Sequence, residues 1–307
     1  MTTPGSSAPV ARGAAPLAEV VRGDLVESVH LGHLVVLGPD GAVRLALGDP
    51  TTTIWPRSSV KPLQAVAMLR TGLDLPDRLL ALAAASHSGA PEHLAGVREI
   101  LAGAGLDESA LRNTPDLPLG RAEALAWQEA GHGPERIAQN CSGKHAAMLA
   151  TCVAAGWDAA TYLDVDHPLQ HAVRDAVVGL TGDADPHVTV DGCGAPLFST
   201  TVLGLARSFG RLASAAADGA SAGGGRNARA MARHPEMVAG RGREDTLVMT
   251  AVPGAIAKIG ADGVCAAGLP DGSAVAFKIL DGVVEQIRGN DFYRPAHEAV
   301  YDAIIDL

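Results

Sequence analysis

The chain has 307 residues with 24 Lys+Arg against 34 Asp+Glu, a formal net charge of −10, and is 47% hydrophobic, 19% charged and 3% aromatic. Such hydrophobicity with so little charge excludes a disordered chain, and 36 Gly and 19 Pro scattered without period exclude a collagen-like or coiled-coil repeat. The acidic balance and the lack of a Lys/Arg cluster exclude nucleic acid as a partner, and no apolar run reaches the roughly 18 residues of a membrane span.

Residues 1–16 are small, polar and Pro-containing, and read as a flexible tail; residues 17–307 read as a single domain. The tail has no continuous apolar run of the kind a secretory signal needs. Four cysteines (Cys141, Cys152, Cys193, Cys265) are too few to build a fold of this size on disulfides. Reduced thiols and a cytoplasmic location are therefore expected.

From Ala18 the runs AEVVRG, LVESVHLGHLVVL and AVRLALG read as strands, with GPDG (Gly38 to Gly41) turning the last two into a hairpin. From about 59 to 212 the pattern is helical: KPLQAVAMLRTG, PDRLLALAAASHS, PEHLAGVREILAGAG, GKHAAMLATCVAAG and PLFSTTVLGLARSFGRLA carry apolar residues at threes and fours. The Gly/Ala/Ser-rich stretch 213–225 reads as a mobile loop. GVCAAGLPDGSAVAFKILDGVV reads as hairpins turned at PDG and DG, and a helix is expected from about Pro295. Strands at both ends with helices between them predict an α+β fold: an antiparallel sheet formed from the N- and C-terminal segments, with an inserted helical region.

In IWPRSSVKP, Pro62 fits only the first turn of a helix, so that helix starts near Ser58–Ser59 and Ser58 lies about one turn from Lys61. A lysine amine with a lowered pKa can take the proton of a neighbouring serine and activate it as a nucleophile. A capping serine pair followed by a solvated lysine is the plainer reading of that segment alone. In AAASHSGAPEH, Ser86 or Ser88 either initiates the next helix or adds a second hydroxyl to a site. In QNCSGKHAAMLATC, Cys141 and Lys144 stand at the mouth of a helix, where a thiol is biased toward thiolate, whereas Cys152 falls mid-helix among apolar residues.

In TVDGCGAP, glycines on either side of Cys193 place it in a tight, exposed turn two residues after Asp191. Cys141 and Cys193 could share a metal, although no Cys-x-x-Cys pairing supports this. Lys258 precedes a glycine pair and either points from an edge strand into a cleft or guards that edge. In DVDHPLQH, Asp166 with Pro168 opens a helix, which explains the acidic cluster without a metal.

Taken in order, RSSVKP, ASHSG, NCSGKHAAML, DGCGAP, RHPEMVAG and AKIGADGV resemble the asparaginase II family, the Rhizobium-type (class 3) L-asparaginases, from about Val21 to the C-terminus. The resemblance implies a fold similar to serine β-lactamases, penicillin-binding proteins and glutaminases. It implies hydrolysis of L-asparagine to L-aspartate and ammonia through two Ser–Lys pairs, Ser58 with Lys61 and Ser86 with Lys258, with Ser86 preferred to Ser88. It further implies a Zn2+ ion held by Cys141, Lys144 and Cys193, with Asp191 and His145 as substrate contacts; by charge alone, Asp191 and Arg57 are candidates for the α-amino and α-carboxylate groups. The alternatives are a glutaminase or β-lactam-acting relative and a non-catalytic zinc-binding regulator. A homodimer is expected from an extended sheet edge.

Overall fold

The computed structural model describes residues 9–219 and 223–280. Strands β1 (Ala15–Arg22), β2 (Leu25–Leu37) and β3 (Val43–Leu47) open the chain, with a 3-10 turn at Pro9–Ala11 before them. The segment expected to be loose up to residue 16 is thus tied down from Pro9: the carbonyl of Val10 lies 2.8 Å from His33 Nε2, and β1 begins at Ala15. A two-residue strand β4 (Thr53–Ile54) leads to a 3-10 turn, Arg57–Val60.

Six helices follow: α1 (Lys61–Arg70), α2 (Asp77–Ala83), α3 (Pro91–Gly103), α4 (Arg121–Glu129), α5 (Ser142–Ala155) and α6 (Pro168–Thr181). The start of α6 agrees with the Pro168 reading, though its cap is His167, whose Nδ1 accepts from the Leu169 N–H. Short strands β5 (Val188–Val190), β6 (Pro196–Phe198) and β7 (Thr200–Thr201) come before α7 (Val202–Ala217). Here the helical reading of PLFSTT fails. Those residues pair with β5 and β4, and the helix waits for Thr201, whose side chain caps it. The stretch read as a loop from Ala213 is helical through Ala217.

Helices α8 (Gly224–Arg233), α9 (Pro235–Val238) and α10 (Glu244–Ala251) lead into β8 (Ile256–Ile259), β9 (Val264–Gly268) and β10 (Ala274–Leu280). The hairpin at Pro270–Gly272 is present; the second turn at DG and the helix from Pro295 lie outside the described residues.

The main sheet has six antiparallel strands in the order β1-β2-β10-β9-β8. Strand β2 is long enough for β1 and β3 to share its outer edge, β1 pairing with residues 25–32 and β3 with 34–37. The other edge of β2 pairs with β10, Leu37 facing Ala274 and Leu31 facing Leu280, which is where the two chain ends meet. The expected α+β architecture is therefore the observed one. Helix α7 packs across β2, β9 and β10, with the Phe209 backbone and Ala213 against Gly268 of β9, and its Leu205, Phe209 and Leu212 are buried. Its far side meets α6 and α8, so one continuous apolar core joins the sheet to the helical insert.

Candidate active site

The chain passes from the sheet to the helical insert at the start of α1. Pro56 ends the preceding extended stretch, and Ser59 Oγ donates to the Pro56 carbonyl at 2.6 Å, closing the Arg57–Val60 turn. Ser58 stands half-buried in this turn, and among the described residues its hydroxyl has no hydrogen-bond partner. Lys61 is 1% exposed, and its ammonium donates to the Ala85 carbonyl at 2.6 Å and to Ser86 Oγ at 2.9 Å. Burial pushes the Lys61 pKa down, and the positive charges of Lys144 and Lys258 push it further, with Cys141 opposing them. A lysine so held moves toward the neutral amine, which is the form that acts as a base.

Residues 84–88 leave α2 as an extended strap fixed from two sides. The Ser86 N–H donates to the Val238 carbonyl at 2.9 Å and the His87 N–H to the Asn140 carbonyl at 3.1 Å. Ser86 faces Lys61 from this strap, whereas Ser88, next to Gly89 at φ +91°, donates to Glu123 Oε1 at 2.9 Å. Neither serine caps α3, whose N-cap is Ala90. The resemblance pairs Ser86 with Lys258; in the structure the Ser86 hydroxyl lies on Lys61.

Lys258 sits on the edge strand β8, yet its side chain is wholly buried and does not guard that edge. Its ammonium donates to Asp245 Oδ2 at 2.8 Å and to its neighbour's carbonyl, Ile259 O, at 2.8 Å. Asp245 also accepts the Ile259 N–H at 2.7 Å. A buried ammonium is costly without a counter-charge, so a carboxylate outcompetes a neutral hydroxyl for it.

Cys141 caps α5, Lys144 lies in the helix's first turn, and Cys193 lies in the turn Asp191–Gly194, closed by the Gly194 N–H donating to the Asp191 carbonyl at 2.8 Å. The expectation of an exposed Cys193 turn is corrected: Cys193 is 2% exposed, and Cys141 at the mouth of α5 is 4%. The glycines around Cys193 fold the turn inward onto α5 instead of presenting it to solvent. Lys144 Nζ donates to Cys193 Sγ at 3.1 Å, and the two sulfurs share one negative charge. The adjacent Cys141 and the Lys144 charge favour the Cys193 thiolate, while the Cys193 sulfur and burial hold Cys141 as the thiol, its Sγ donating to Asn140 Oδ1 at 3.1 Å.

Among the described residues no group of three His, Cys, Asp or Glu side chains is placed to hold a metal ion. Two sulfurs and a lysine nitrogen do converge here, and two thiolates with one nitrogen are a zinc-type donor set once Cys141 and Lys144 both give up their protons. The residues present therefore fit the group that the resemblance implies. Cys152 is buried in the core as read, and Cys265 is half-buried beneath the sheet.

Arg57 reaches two carboxylates. Its Nε donates to Asp191 Oδ1 at 2.8 Å, and Nη1 bonds Asp262 on the β8–β9 turn. Gly260 in that turn comes so close that a Cβ there would lie 2.6 Å from the Pro56 carbonyl oxygen. Burial opposes ionisation of Asp191, yet the Lys144 and Arg57 charges keep its carboxyl below the usual range. His145 is fully buried, with Nδ1 2.8 Å from the Tyr162 hydroxyl and Nε2 without a partner. Burial and the neighbouring Lys144 charge hold it as neutral imidazole.

Ser86, Lys61, Cys141, Lys144 and Cys193 thus form one buried group, with Ser58 and the Arg57–Asp191 pair beside it. Asp245, Asp262, Tyr162 and the Ala85 carbonyl are partners that sequence reasoning missed. None sits in a motif with its partner, and only the fold brings them together.

The profile of the L-asparaginase II family matches residues 18–288, and an amidohydrolase of α+β architecture is what that match and this fold define. The chain belongs to the L-asparaginase II family. None of the curated proteins matches the sequence significantly. Among solved structures, a β-lactamase from Mycobacterium bovis is similar at 17% identity with a TM-score of 0.47, covering 90% of this chain and 94% of that one. A β-lactamase candidate from Bacteroides dorei DSM 17855 is similar at 16% identity with a TM-score of 0.49, covering 90% and 93%. EstCE1, a hydrolase with promiscuous acyltransferase activity, is similar at 13% identity with a TM-score of 0.38, covering 80% and 87%. These overlaps are loose and carry no information on substrate.

Proposed function

We propose that the protein hydrolyses the side-chain amide of L-asparagine, giving L-aspartate and ammonia, with Ser58 as nucleophile. The observation that carries this reading is the buried Lys61 ammonium, one turn from Ser58 in sequence and 2.9 Å from Ser86 Oγ, within a chain of this family.

In the proposed sequence, Lys61 as the free amine accepts the Ser58 proton, and the Ser58 oxygen adds to the amide carbon. Collapse of the tetrahedral adduct breaks the C–N bond. The proton held by Lys61 returns through Ser86 to the leaving nitrogen, so ammonia departs and a Ser58 ester remains. Water adds to that ester with the same groups as base, releasing L-aspartate and restoring the Ser58 hydroxyl. Backbone N–H groups near the start of α1 would receive the negative charge on the carbonyl oxygen. Lys258 contributes through space, since its positive charge is one of those that depress the Lys61 pKa.

Cys141, Cys193 and Lys144 would hold a zinc ion, which when bound supplies a Lewis-acidic positive charge for orienting a polar substrate. Asp191, kept ionised by Lys144 and Arg57, is the candidate partner for the substrate's α-ammonium, with His145 beside it. Arg57 already carries two carboxylates and serves as their common anchor.

A cytoplasmic location and a homodimer belong to the same reading. Among the described residues no helix is long and apolar enough to cross a membrane. Val21, Leu25, Val29, Leu31, Val43 and Leu45 on β1–β3 are exposed apolar side chains for a second copy to cover.

Ammonia release measured across asparagine, glutamine and other amides, with ring opening of a β-lactam followed separately by its ultraviolet absorbance, tests the substrate assignment. Asparagine is expected to be turned over most efficiently. Turnover of glutamine or the β-lactam in its place would contradict it, and inactivity on all of them would favour a non-catalytic zinc-binding role.

A further inference from the structure

Two arginines lie near the serine–lysine cluster, and they differ in their partners. Arg57 is bonded to both Asp191 and Asp262. Arg243, immediately before α10, pairs with no carboxylate among the described residues. Its Nε is buried and has no hydrogen-bond partner. A buried guanidinium nitrogen left unbonded is uncommon, because the lost hydration is not replaced.

Its position is set by the strap that carries Ser86. The Ser86 N–H bonds the Val238 carbonyl, and the next turn of chain folds back along the strap to Gly240. A Cβ built at Gly240 would lie 2.7 Å from Ser88 Oγ and 3.6 Å from Arg243 Cδ, so the arginine stem and the strap pack on the same point. Thr246 Oγ1 donates to the Gly240 carbonyl at 2.7 Å and locks the loop. Two residues beyond Arg243, Asp245 holds Lys258. Arg243 therefore hangs from a rigid loop between Ser88 and Lys258. Its charge is felt at His87, whose pKa is lowered first by burial and further by His93, Lys61 and Arg243.

We propose that Arg243 is the receptor for the α-carboxylate of the amino-acid substrate. A planar guanidinium matches a carboxylate geometrically, and here Nε is buried without a partner while the partly exposed side chain pairs with no carboxylate among the described residues. The inference rests on the amidohydrolase reading above and adds to it the group that selects a free amino acid over an amide lacking the carboxylate.

The test compares L-asparagine with L-asparaginamide, in which the α-carboxylate is an uncharged amide, and follows side-chain deamidation by chromatography of the products. In Arg243→Gln, KM for asparagine is expected to rise on the order of 30-fold, the size of one lost charge-assisted interaction. For asparaginamide the two proteins are expected to differ by less than about threefold, since no charge is lost there. An equal loss on both substrates, or none on asparagine, overturns the assignment. If Arg243→Gln fails to fold by thermal melting, Arg243→Lys retains the charge without the planar fork, and the same preferential loss on asparagine is required of it.

If the unmodified protein leaves asparagine untouched, the functional reading fails separately. The arginine is then judged by calorimetric binding of L-aspartate and propionate. Binding weakened by the same factor in the variant upholds it, and unchanged or absent binding overturns it.

Discussion

Arg57 and Asp262 are ion-paired, and both have left-handed backbones, at φ +51° and +57°; among the described residues they are the only non-glycine positions with positive φ. The left-handed region costs an L-residue about 1–2 kcal/mol, so such residues persist where surrounding contacts impose them. Here the imposing contacts join the turn that carries Ser58 to the β8–β9 turn of the sheet, with Asp191 as a third member.

Asp262→Gly separates charge from backbone, because glycine adopts the same φ without strain. Asp262 is half exposed, and removing its side of the pair should weaken it by only about 1 kcal/mol. A kcat lowered about fivefold with Tm within a few degrees of the unmodified protein is the expected outcome. An unchanged kcat would show that the pair does not position Ser58.

The sheet was legible from both chain ends because alternating apolar residues and the turns GPDG and PDG mark hairpins directly. The candidate serines, lysines and cysteines were legible because their spacing survives in short motifs. Their partners were not. Asp245 reaches Lys258 over 13 residues and Asp262 reaches Arg57 over 205, and neither carboxylate stands in a pattern that announces a partner. The burial of Cys193 was misread for a related reason: flanking glycines imply a tight turn, but only tertiary packing decides whether a turn faces solvent or α5.

The Lys258–Asp245 pair is wholly buried, so breaking it strands a charge. Asp245→Asn should cost about 3–5 kcal/mol. The double variant Asp245→Leu, Lys258→Met should recover part of that stability while remaining slow in amide hydrolysis, because the charge acting on Lys61 is gone. Thermal melting and ammonia release on the three proteins check this. Full activity in a folded double variant would remove Lys258 from the reaction.

Acid should destabilise the fold through His93. Its Nδ1 accepts the Ala90 N–H at 3.1 Å, which leaves Nε2 to donate to the Glu236 carbonyl at 2.8 Å. Burial lowers its pKa, although Glu92, Glu123 and Glu236 pull the other way. With the folded pKa below the unfolded 6.5, the unfolded chain binds more protons as pH falls below about 6.5, and stability falls with it. In His93→Asn, whose side-chain carbonyl can accept from Ala90, the drop in Tm between pH 8 and pH 5 is expected to be smaller. An equal drop would place the acid sensitivity elsewhere.

For the sulfur–lysine cluster, the unmodified protein reconstituted with zinc and dialysed is expected to retain about one equivalent, and Cys193→Ser to lose most of it. Full retention by that variant would contradict the ligand set.

The account stands most directly on Ser58. Ammonia release from L-asparagine by Ser58→Ala, in a protein whose circular dichroism and Tm match the unmodified chain, should fall at least about a thousandfold. Undiminished release would contradict the assignment of Ser58 as nucleophile.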